Sequence, residues 1–396
     1  MQVRELRLKN FRNITELRFE PESRLNFILG ENGQGKTSIL EGLSYLSTLR
    51  SFRGAKNEDI LKYGETWAEA AATVGDRPEW AADLKVTFAQ AGERVARTAF
   101  IDGKAIRSST QYLSSRFGSI ELGFHSIVFN PSDHDLVRGE PAIRRAYLDR
   151  TLSAEDPEYL KTLSRYVKIL EQRNALLKNE SRPSESVLEG FTTPLVEKGA
   201  QIARARVEWL SRLRERLDNT LHKIVPDALP LRAFYLSGWI RKNEGISISS
   251  LEFDPGQFPL QNPLPSLEFF EAEFREALSM KRDAEWRAGV TLVGPHRDDL
   301  TLFYGAQPLR GHGSQGETRS ALIALKLGEI DLFRSNTGHR PILLLDDFSS
   351  ELDRKRREFL LRYLFETDLQ VFVTSTEEPP FSGKIFRVKH GSLETS

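Results

Sequence analysis

The sequence contains no cysteine among its 396 residues. Disulfides, iron–sulfur clusters, thiolate zinc sites and a cysteine nucleophile are therefore excluded. The opening residues, MQVRELRLKNFRNI, alternate charged and apolar side chains without the apolar core of a signal peptide. The sequence also lacks an apolar run of about 18 residues, the length that a membrane span requires. We expect a protein of a reducing compartment, the cytoplasm, with no membrane-spanning segment.

The chain also lacks an excess of charge of either sign, because 56 Lys and Arg balance 56 Asp and Glu. A domain dedicated to nucleic acid is usually strongly basic. The balance argues against a uniformly basic surface but leaves room for a local basic face. The charge is spread unevenly: residues 138–223 carry 17 basic and 13 acidic residues (+4), and residues 241–280 carry 3 and 7 (−4). Composition and length predict a globular protein of about two domains.

The first half of the chain changes from strand-like to helix-like patterns. Residues 1–29 show the alternation and short apolar runs of strands, and a helix is predicted from Lys36 to Leu49. Asp102-Gly103 is a hairpin signal. Further on, six residues recur at heptad spacing, which predicts one arm of a helical hairpin: Leu160, Leu163, Val167, Leu170, Asn174 and Leu177.

The second half returns to an alternating pattern. After a break at 181–186 and a second helical arm ending near Ile224, residues 226–265 are rich in Pro and Gly and predict an irregular connection. The later predicted elements are an amphipathic helix with Phe270, Phe274, Leu278 and Trp286, strands at 290–293, 301–304, 342–345 and 371–373, and helices near 317–334 and 353–366. Strands that alternate with helices predict a parallel sheet.

The segment Gly30–Thr37 reads GENGQGKT, a complete phosphate-loop pattern. It follows an apolar strand and precedes a helix, which is the context that the pattern requires. Glycines allow backbone N–H groups to surround phosphates, and the helix N-terminus adds partial positive charge. Lys36 is expected to reach the β- and γ-phosphates, and Thr37 to offer its hydroxyl to Mg²⁺.

Two carboxylates follow the apolar run Ile342–Leu345. The carboxyl end of a parallel strand is where ligands bind in open α/β sheets. Asp346 is suited to holding Mg²⁺, and Asp347 to orienting or deprotonating the attacking water. Because Asp is one methylene shorter than the Glu usual in fast ATPases, we expect weak hydrolysis.

Two further segments have capping patterns at helix starts. Gly313–Glu317 reads GSQGE before a helical run, and its position between the phosphate loop and the double Asp favours a second anion site over a simple N-cap. Residues 350–353 read SELD, a capping pattern where the next helix begins.

The order GENGQGKTS, SQGE, ILLLDDFSSELD resembles that of ABC-type ATPases: phosphate loop, signature, Walker B and D-loop. More narrowly, four segments are similar to the RecF family of bacterial recombination mediators: Asn10–Asn13, Ser51–Arg53, Arg144–Asp149 and Gly294–Leu300. The resemblance implies an α/β fold, an ABC-type ATPase head with a mixed or parallel sheet, interrupted by a mostly helical second lobe. We expect the head at 1–110, the helical lobe at 111–289 and the rest of the head at 290–396.

The resemblance also implies residue roles. ATP would be bound by Arg12, Gly30, Glu31, Asn32, Gly33, Gln34, Gly35, Lys36, Thr37 and Ser38, with Mg²⁺ on Thr37 and Asp346 and catalysis by Asp347 and Lys36. The signature, acting on the other subunit of a dimer, would be Ser314, Gln315, Gly316 and Glu317. The D-loop at the dimer interface would be Ser350, Glu351, Leu352 and Asp353.

This sequence departs from transporter-type relatives at two places. No glutamine stands in the Q-loop region, where Asp133 is a candidate equivalent, and Thr374-Ser375-Thr376 stands where a switch histidine is usual. Both departures favour ATP as a clamp over fast turnover.

The function implied is an ATP-dependent homodimeric clamp on gapped or junction DNA, with weak DNA-stimulated hydrolysis, that helps RecR and RecO to load RecA. Candidate DNA contacts are Arg53, Lys56, Lys62, Arg144, Arg145, Arg204, Arg206, Arg212, Arg214 and Arg216. His296 and Arg297 could tie the signature region to the lobe or touch nucleotide. A structural chromosome-binding protein of the SMC type and an ATP-driven nuclease of the OLD group are the alternatives.

Overall fold

A computed structural model describes residues 2–76, 81–115, 124–179, 184–240, 264–347, 353–378 and 382–394. The chain divides into two compact units. The first unit combines Met1–Asp133 with Ile330–Ser396, and the second unit is His134–Glu329. These divisions come later in the chain than residues 110 and 289, where the sequence suggests that the lobe begins and ends.

The elements are as follows. The strands are β1 (Val3–Phe11), β2 (Ile14–Phe19), β3 (Leu25–Leu29), β4 (Trp67–Val74), β5 (Ala82–Ala91), β6 (Arg94–Ile101), β7 (Lys104–Ile106), β8 (Ser126–Phe129), β9 (Leu231–Leu236), β10 (Asp299–Tyr304), β11 (Gln307–Pro308), β12 (Ile342–Leu345), β13 (Val371–Ser375), β14 (Lys384–Lys389) and β15 (Ser392–Leu393). The helices are α1 (Lys36–Thr48), α2 (Ser109–Ser115), α3 (Asp135–Arg138), α4 (Pro141–Glu155), α5 (Pro157–Leu177), α6 (Glu185–Ile224), α7 (Leu267–Ala288), α8 (Leu309–His312), α9 (Gln315–Thr337) and α10 (Arg354–Glu366). None of the helices within the described ranges has the length and apolar content to cross a membrane.

The first unit contains two six-stranded sheets. One is antiparallel, in the order β2-β1-β4-β5-β6-β7, and the other has the order β15-β14-β3-β13-β12-β8 with all pairs parallel except β14–β15. Leu8 of the antiparallel sheet, Leu43 of α1 and Leu344 of the parallel sheet belong to the same buried core. The expectation of a parallel sheet is confirmed.

Strand sequences differ between the two sheets for a physical reason. LNFIL in β3 and ILLL in β12 are buried at every position, since parallel strands are covered on both faces. In β2 buried Ile14, Leu17 and Phe19 are separated by exposed residues, as expected where one face is solvated. The β6–β7 turn has Asp102 and Gly103 at positive φ, which confirms the hairpin.

The second unit contains a helical hairpin and a three-stranded antiparallel sheet in the order β11-β10-β9. Helix α5 packs against α6, and α6 against α7. The buried face of α5 includes Leu160, Tyr166, Arg173 and Leu177, whereas Val167 is exposed. The predicted seam is therefore wrong at Val167. The buried face of α5 includes Arg173 instead, because the charge of Arg173 is paired with Glu285.

Two other element predictions are wrong. Residues 290–293 are not a strand: Asn174 Oδ1 accepts hydrogen bonds from Thr291 N (2.7 Å) and Thr291 Oγ1 (2.8 Å), so side chains fix this segment. The region 226–265 is not wholly irregular, because it includes β9, which pairs with β10. Residues 241–263 lie outside the described ranges, as do residues 181–183 of the predicted break.

Candidate functional site

The phosphate loop joins β3 to α1 in the first unit. Gly33 and Gly35 have φ angles of 79° and 110°, which only glycine adopts without strain. Helix α1 begins at Lys36, directly after the last glycine of the loop. The N–H groups of its first turn, which have no partner within the helix, therefore lie at the end of the loop. The sequence pattern and this geometry agree with an anion-binding turn.

Asn13 of the β1–β2 turn forms hydrogen bonds to this loop and to the start of α1. Its Nδ2 donates to Gly33 O (3.0 Å), and its Oδ1 accepts from Ser38 Oγ (3.0 Å). A Cβ on Gly35 would lie 3.1 Å from the same Oδ1, so the close approach requires glycine. Asn13 therefore links both ends of the turn, a role that the loop pattern by itself does not predict.

Lys36 lies against the carbonyl groups of its own loop. Its Nζ donates to Gly30 O (2.6 Å) and Glu31 O (2.9 Å). Burial lowers the pKa of Lys36, while the charges of Asp347 and Asp346 oppose that shift. The ammonium group is thus held at the phosphate loop, next to two carboxylates.

The double Asp follows β12 at the carboxyl edge of the parallel sheet. Asp346 Oδ1 accepts hydrogen bonds from Thr37 Oγ1 (2.9 Å) and Thr374 Oγ1 (2.9 Å). Burial raises the pKa of Asp346, and these two hydrogen bonds oppose the rise. Asp347 has a φ of 47°, and its N–H donates to Thr374 Oγ1 (2.8 Å). Thr374 therefore fixes both acidic residues.

The donor set here fits a magnesium ion. Thr37 and Asp346 bring a hydroxyl and a carboxylate oxygen within 2.9 Å of each other, although 309 residues separate them in sequence. Mg²⁺ prefers hard oxygen ligands and is usually held by one or two carboxylates together with phosphate oxygens.

A cavity of about 660 Å³ extends from this edge. Its lining is Arg12, Asn13, Asn32, Gly33, Gly35, Lys36, Thr37, Ser38, Arg53, Asp59, Leu61, Lys62, Tyr63, Asp346, Asp347 and Thr374. Arg12 is oriented by the buried Glu41, to which its Nε and Nη2 donate at 2.8 and 2.6 Å. Arg53 Nη1 lies 3.8 Å from the same carboxylate. Glu41 was not foreseen in the sequence, since a Glu inside a helix gives no signal that it is buried between two arginines.

The signature segment lies in the second unit, at the start of α9. Ser314 N donates to Glu317 Oε2 (2.7 Å), and Glu317 N donates to Ser314 Oγ (3.2 Å), which is a reciprocal capping box. Ser314 and Gln315 are exposed. In this unit the segment therefore caps its helix and presents the helix N-terminus to solvent.

The other predicted loop residues have mixed positions. Ser350, Glu351 and Leu352 lie outside the described residues, and Asp353 caps α10 by accepting from Arg356 N (3.0 Å). Asp133 accepts hydrogen bonds from Asn130 N and Nδ2.

Candidate DNA contacts differ in accessibility. Arg144 is buried and donates to both carboxylate oxygens of Asp299 (2.7 and 2.8 Å), and Arg206 is buried and paired with Asp149. In the described conformation neither is available to an external phosphate, because burial and a partner carboxylate occupy each guanidinium. Arg145 is half-buried and donates to Asp298 O.

The remaining basic candidates are more accessible. Arg53 and Lys62 line the cavity, whereas Lys56 and Arg204 are exposed. Arg212, Arg214 and Arg216 are half-buried on α6.

His296 and Asp298 belong to a buried polar network in the second unit. His296 Nδ1 lies 2.7 Å from Tyr166 Oη, and Asp298 Oδ2 accepts from Tyr235 Oη (2.6 Å) and Trp239 Nε1 (3.0 Å). Burial lowers the pKa of His296 to about 4 and raises the pKa of Asp298 to about 7. His296 thus contacts Tyr166 of α5 and the carbonyl oxygen of Thr291, and its expected link to the signature region stays a prediction.

Comparison with known proteins supports the reading of these motifs. The sequence matches the family described as RecF/RecN/SMC N terminal domain over residues 2–390. It is 36% identical to the DNA replication and repair protein RecF of Heliobacterium modesticaldum over 404 residues, covering all of both chains. It is 31% identical to the protein of that name from Bacillus subtilis, covering 99% of this chain and all of the other.

The chain belongs to the RecF family.

Solved structures agree with this family assignment. A structure of the recombination mediator protein RecF with ATP in the RecFOR pathway has a TM-score of 0.84 at 28% identity, covering 99% of this chain and 98% of the other. An SMC head bound to the C-terminal winged-helix domain of ScpA has a TM-score of 0.51 at 13% identity, which supports the shared fold alone. The RecF fold, an ATPase head with a helical insertion, is therefore the fold of this chain.

Proposed function

We propose that this RecF-family chain is an ATP-dependent DNA-binding clamp that acts in DNA repair and replication. The observation that carries the proposal is the contact between Thr37 and Asp346, which joins the phosphate loop to the double Asp at one cavity. A RecF structure with ATP among its structural neighbours supports ATP as the ligand.

Several residues of the cavity have distinct parts in the proposed reaction. The loop N–H groups and Lys36 bind the phosphates, and Arg12 and Arg53 add positive charge along the same cavity. Thr37 and Asp346 would hold Mg²⁺, which when bound would neutralise phosphate charge. Asp347 orients the attacking water or accepts its proton. Hydrolysis is slow because this Asp is shorter than the usual Glu.

The clamp follows from thermodynamic linkage. If the exposed signature at Ser314 contacts the γ-phosphate held by a second copy, ATP stabilises the dimer and hydrolysis releases it. Two paired heads offer a long surface to an extended polyanion. By family resemblance, the DNA is gapped or branched, and RecR and RecO work with the clamp to load RecA.

The deciding experiment is sedimentation of the purified protein with gapped DNA, with and without ATP, across a salt series. We expect binding to need ATP and to weaken as salt rises, since phosphate contacts release counterions. Lys36→Met should abolish the ATP effect, whereas Lys104→Met, which alters an exposed lysine of the same unit, should leave it intact. Equal DNA binding by the unaltered protein with and without ATP would contradict the proposal of an ATP-dependent clamp.

The same material tests the alternatives. DNA cleavage by the purified protein that disappears in Asp346→Asn would favour the OLD-type nuclease. ATP-dependent binding to intact duplex, with no preference for gaps or junctions, would favour the SMC-type chromosome protein.

A further inference from the structure

The turn between β14 and β15 contacts the phosphate loop directly. Gly391 N donates to Gln34 O (3.0 Å), and His390 N donates to Gln34 Oε1 (2.5 Å). Gln34 stands at the variable position just before Gly35 of the loop. Both hydrogen bonds use backbone N–H groups of the turn, so the contact depends on the turn's shape more than on its side chains.

The hairpin approaches the loop too closely for ordinary residues at two further points. A Cβ on Gly391 would lie 2.4 Å from Asn13 O, and Gly391 has a φ of 74°. A Cβ on Gly30 would lie 2.4 Å from Val388 O. The hairpin therefore packs against the first residue of the loop and against the backbone of Asn13, whose side chain bonds Gly33 and Ser38.

These contacts reduce the conformational freedom of the phosphate loop before a ligand binds. Two positive-φ glycines make the free turn conformationally permissive, and ordering such a turn upon binding costs affinity. A turn that is already fixed from outside does not incur that cost when the phosphates arrive. The hairpin has the right position to supply this constraint.

We propose that the β14–β15 hairpin is a positioning element for the phosphate loop, acting through Gln34 and Gly391. The inference rests on the proposed function, since the ligand is taken to be ATP. It predicts that nucleotide affinity depends on a turn more than 350 residues away in sequence from the loop.

The chain offers a closely matched control. Asp102 and Gly103 form a turn with φ angles of 47° and 75°, nearly the same as 50° and 74° at His390 and Gly391. A Cβ on Gly103 would meet nothing within 4 Å. Gly391→Ala and Gly103→Ala thus impose the same backbone strain in the same unit, but only Gly391→Ala pushes against Asn13.

The test measures the dissociation constant for a fluorescent ATP analogue, together with the melting temperature of the free protein. We expect Gly391→Ala to weaken binding by about tenfold relative to Gly103→Ala, a difference equivalent to about 1.4 kcal/mol. His390→Asn should bind as the unaltered protein does, because Asn tolerates positive φ and the bond uses the main chain. Equal affinities for Gly391→Ala and Gly103→Ala would overturn the inference. Failure of the unaltered protein to bind ATP would instead contradict the proposed function.

A second measurement covers the case in which Gly391→Ala does not fold. Hydrogen–deuterium exchange of the loop amides, without nucleotide, should be faster in Gln34→Ala than in the unaltered protein. Gln34→Glu keeps an acceptor for His390 N and should restore the protection. Unchanged exchange in Gln34→Ala would overturn the inference, since a hairpin that merely completes the sheet would leave the loop amides unaffected.

Discussion

Thr374 connects the two acidic residues of the site through a single hydroxyl group. It donates to Asp346 Oδ1 and accepts from the N–H of Asp347. It is buried, so water cannot replace either bond. Its hydroxyl group therefore holds both acidic residues in place.

Thr374→Val should therefore reduce ATP hydrolysis by about 10–100-fold, the usual cost of losing a group that orients a metal ligand. The hydroxyl-retaining Thr374→Ser should keep most of the activity. Rates measured over a magnesium titration would show the loss as a higher magnesium requirement. Hydrolysis by Thr374→Val at the normal rate would refute this role.

Asp298 and His296 should give opposite pH dependences of stability. The raised pKa of Asp298, about 7, means that the folded state holds a proton that the unfolded state loses near pH 4, so the free energy of unfolding falls as pH rises from about 4 to about 7. The lowered pKa of His296, about 4, makes that free energy rise between about 4 and 6.5. In the unaltered protein the two effects largely cancel up to pH 6.5.

Asp298→Asn removes one side of this balance. Relative to the unaltered protein, its free energy of unfolding should increase with pH between about 4 and about 7, by an amount on the order of a few kcal/mol at about 1.4 kcal/mol per unit of pKa shift. Urea denaturation at several pH values measures the difference. A difference that stays constant over this range would show that Asp298 ionises normally.

At the scale of elements, two glycines of α6 have opposite packing environments. A Cβ on Gly199 of α6 would lie 2.4 Å from Phe274 of α7 and 3.1 Å from Tyr166 of α5. Gly190, on the same helix, has nothing within 4 Å of its would-be Cβ. One helix thus contains a glycine required by packing and another that only lowers helix propensity.

Gly199→Ala should destabilise the protein by about 1–3 kcal/mol, because the added methyl overpacks the contact. Gly190→Ala should stabilise it by up to about 1 kcal/mol through helix propensity. Denaturant unfolding of both variants gives the comparison. Stabilisation by Gly199→Ala would mean that Phe274 moves aside at little cost.

Apolar runs and helical periodicity correctly predicted those elements whose burial depends only on neighbouring residues in the sequence. The apolar runs of β3 and β12 and the helix after the phosphate loop are where the sequence places them. The heptad pattern placed Val167 in the core, whereas Tyr166 and Arg173 are the buried residues. Arg173 can be buried because it pairs with Glu285, and a residue so distant in sequence gives no local signal. The apolar pattern of residues 290–293 predicted a strand, but the segment is held by hydrogen bonds from Thr291 to the side chain of Asn174. Glu41 and the hairpin turn at His390 were missed for the same reason: their roles arise only from long-range contacts.

At the scale of the whole molecule, zero net charge leaves little general attraction for DNA. A protein without excess charge gains little from counterion release as a monomer. Joining two modest basic surfaces would raise affinity through the higher effective concentration of the second. We expect DNA affinity to be poor without ATP for this reason.

Ser314→Arg should block ATP-driven dimerisation, because a bulky cation at the exposed start of α9 obstructs the approach of a second copy. Ser266→Arg is the matched control, since Ser266 caps α7 in the same unit by accepting from Phe269 N. Both lose a cap worth about 1 kcal/mol. Sedimentation velocity with ATP should show dimers for Ser266→Arg and the unaltered protein and monomers for Ser314→Arg. Dimers formed equally by Ser314→Arg would exclude a signature that acts across subunits.

The order of strands in the parallel sheet also affects how the protein is made. Strand β3, which leads into the phosphate loop, pairs on one side with β13 and on the other with β14. Both neighbours leave the ribosome long after β3, while His134–Glu329 is one contiguous segment that can fold in the meantime. The nascent chain consequently carries an incomplete nucleotide site through most of its synthesis, and ATP can begin to stabilise the fold only once residues 371–391 have emerged.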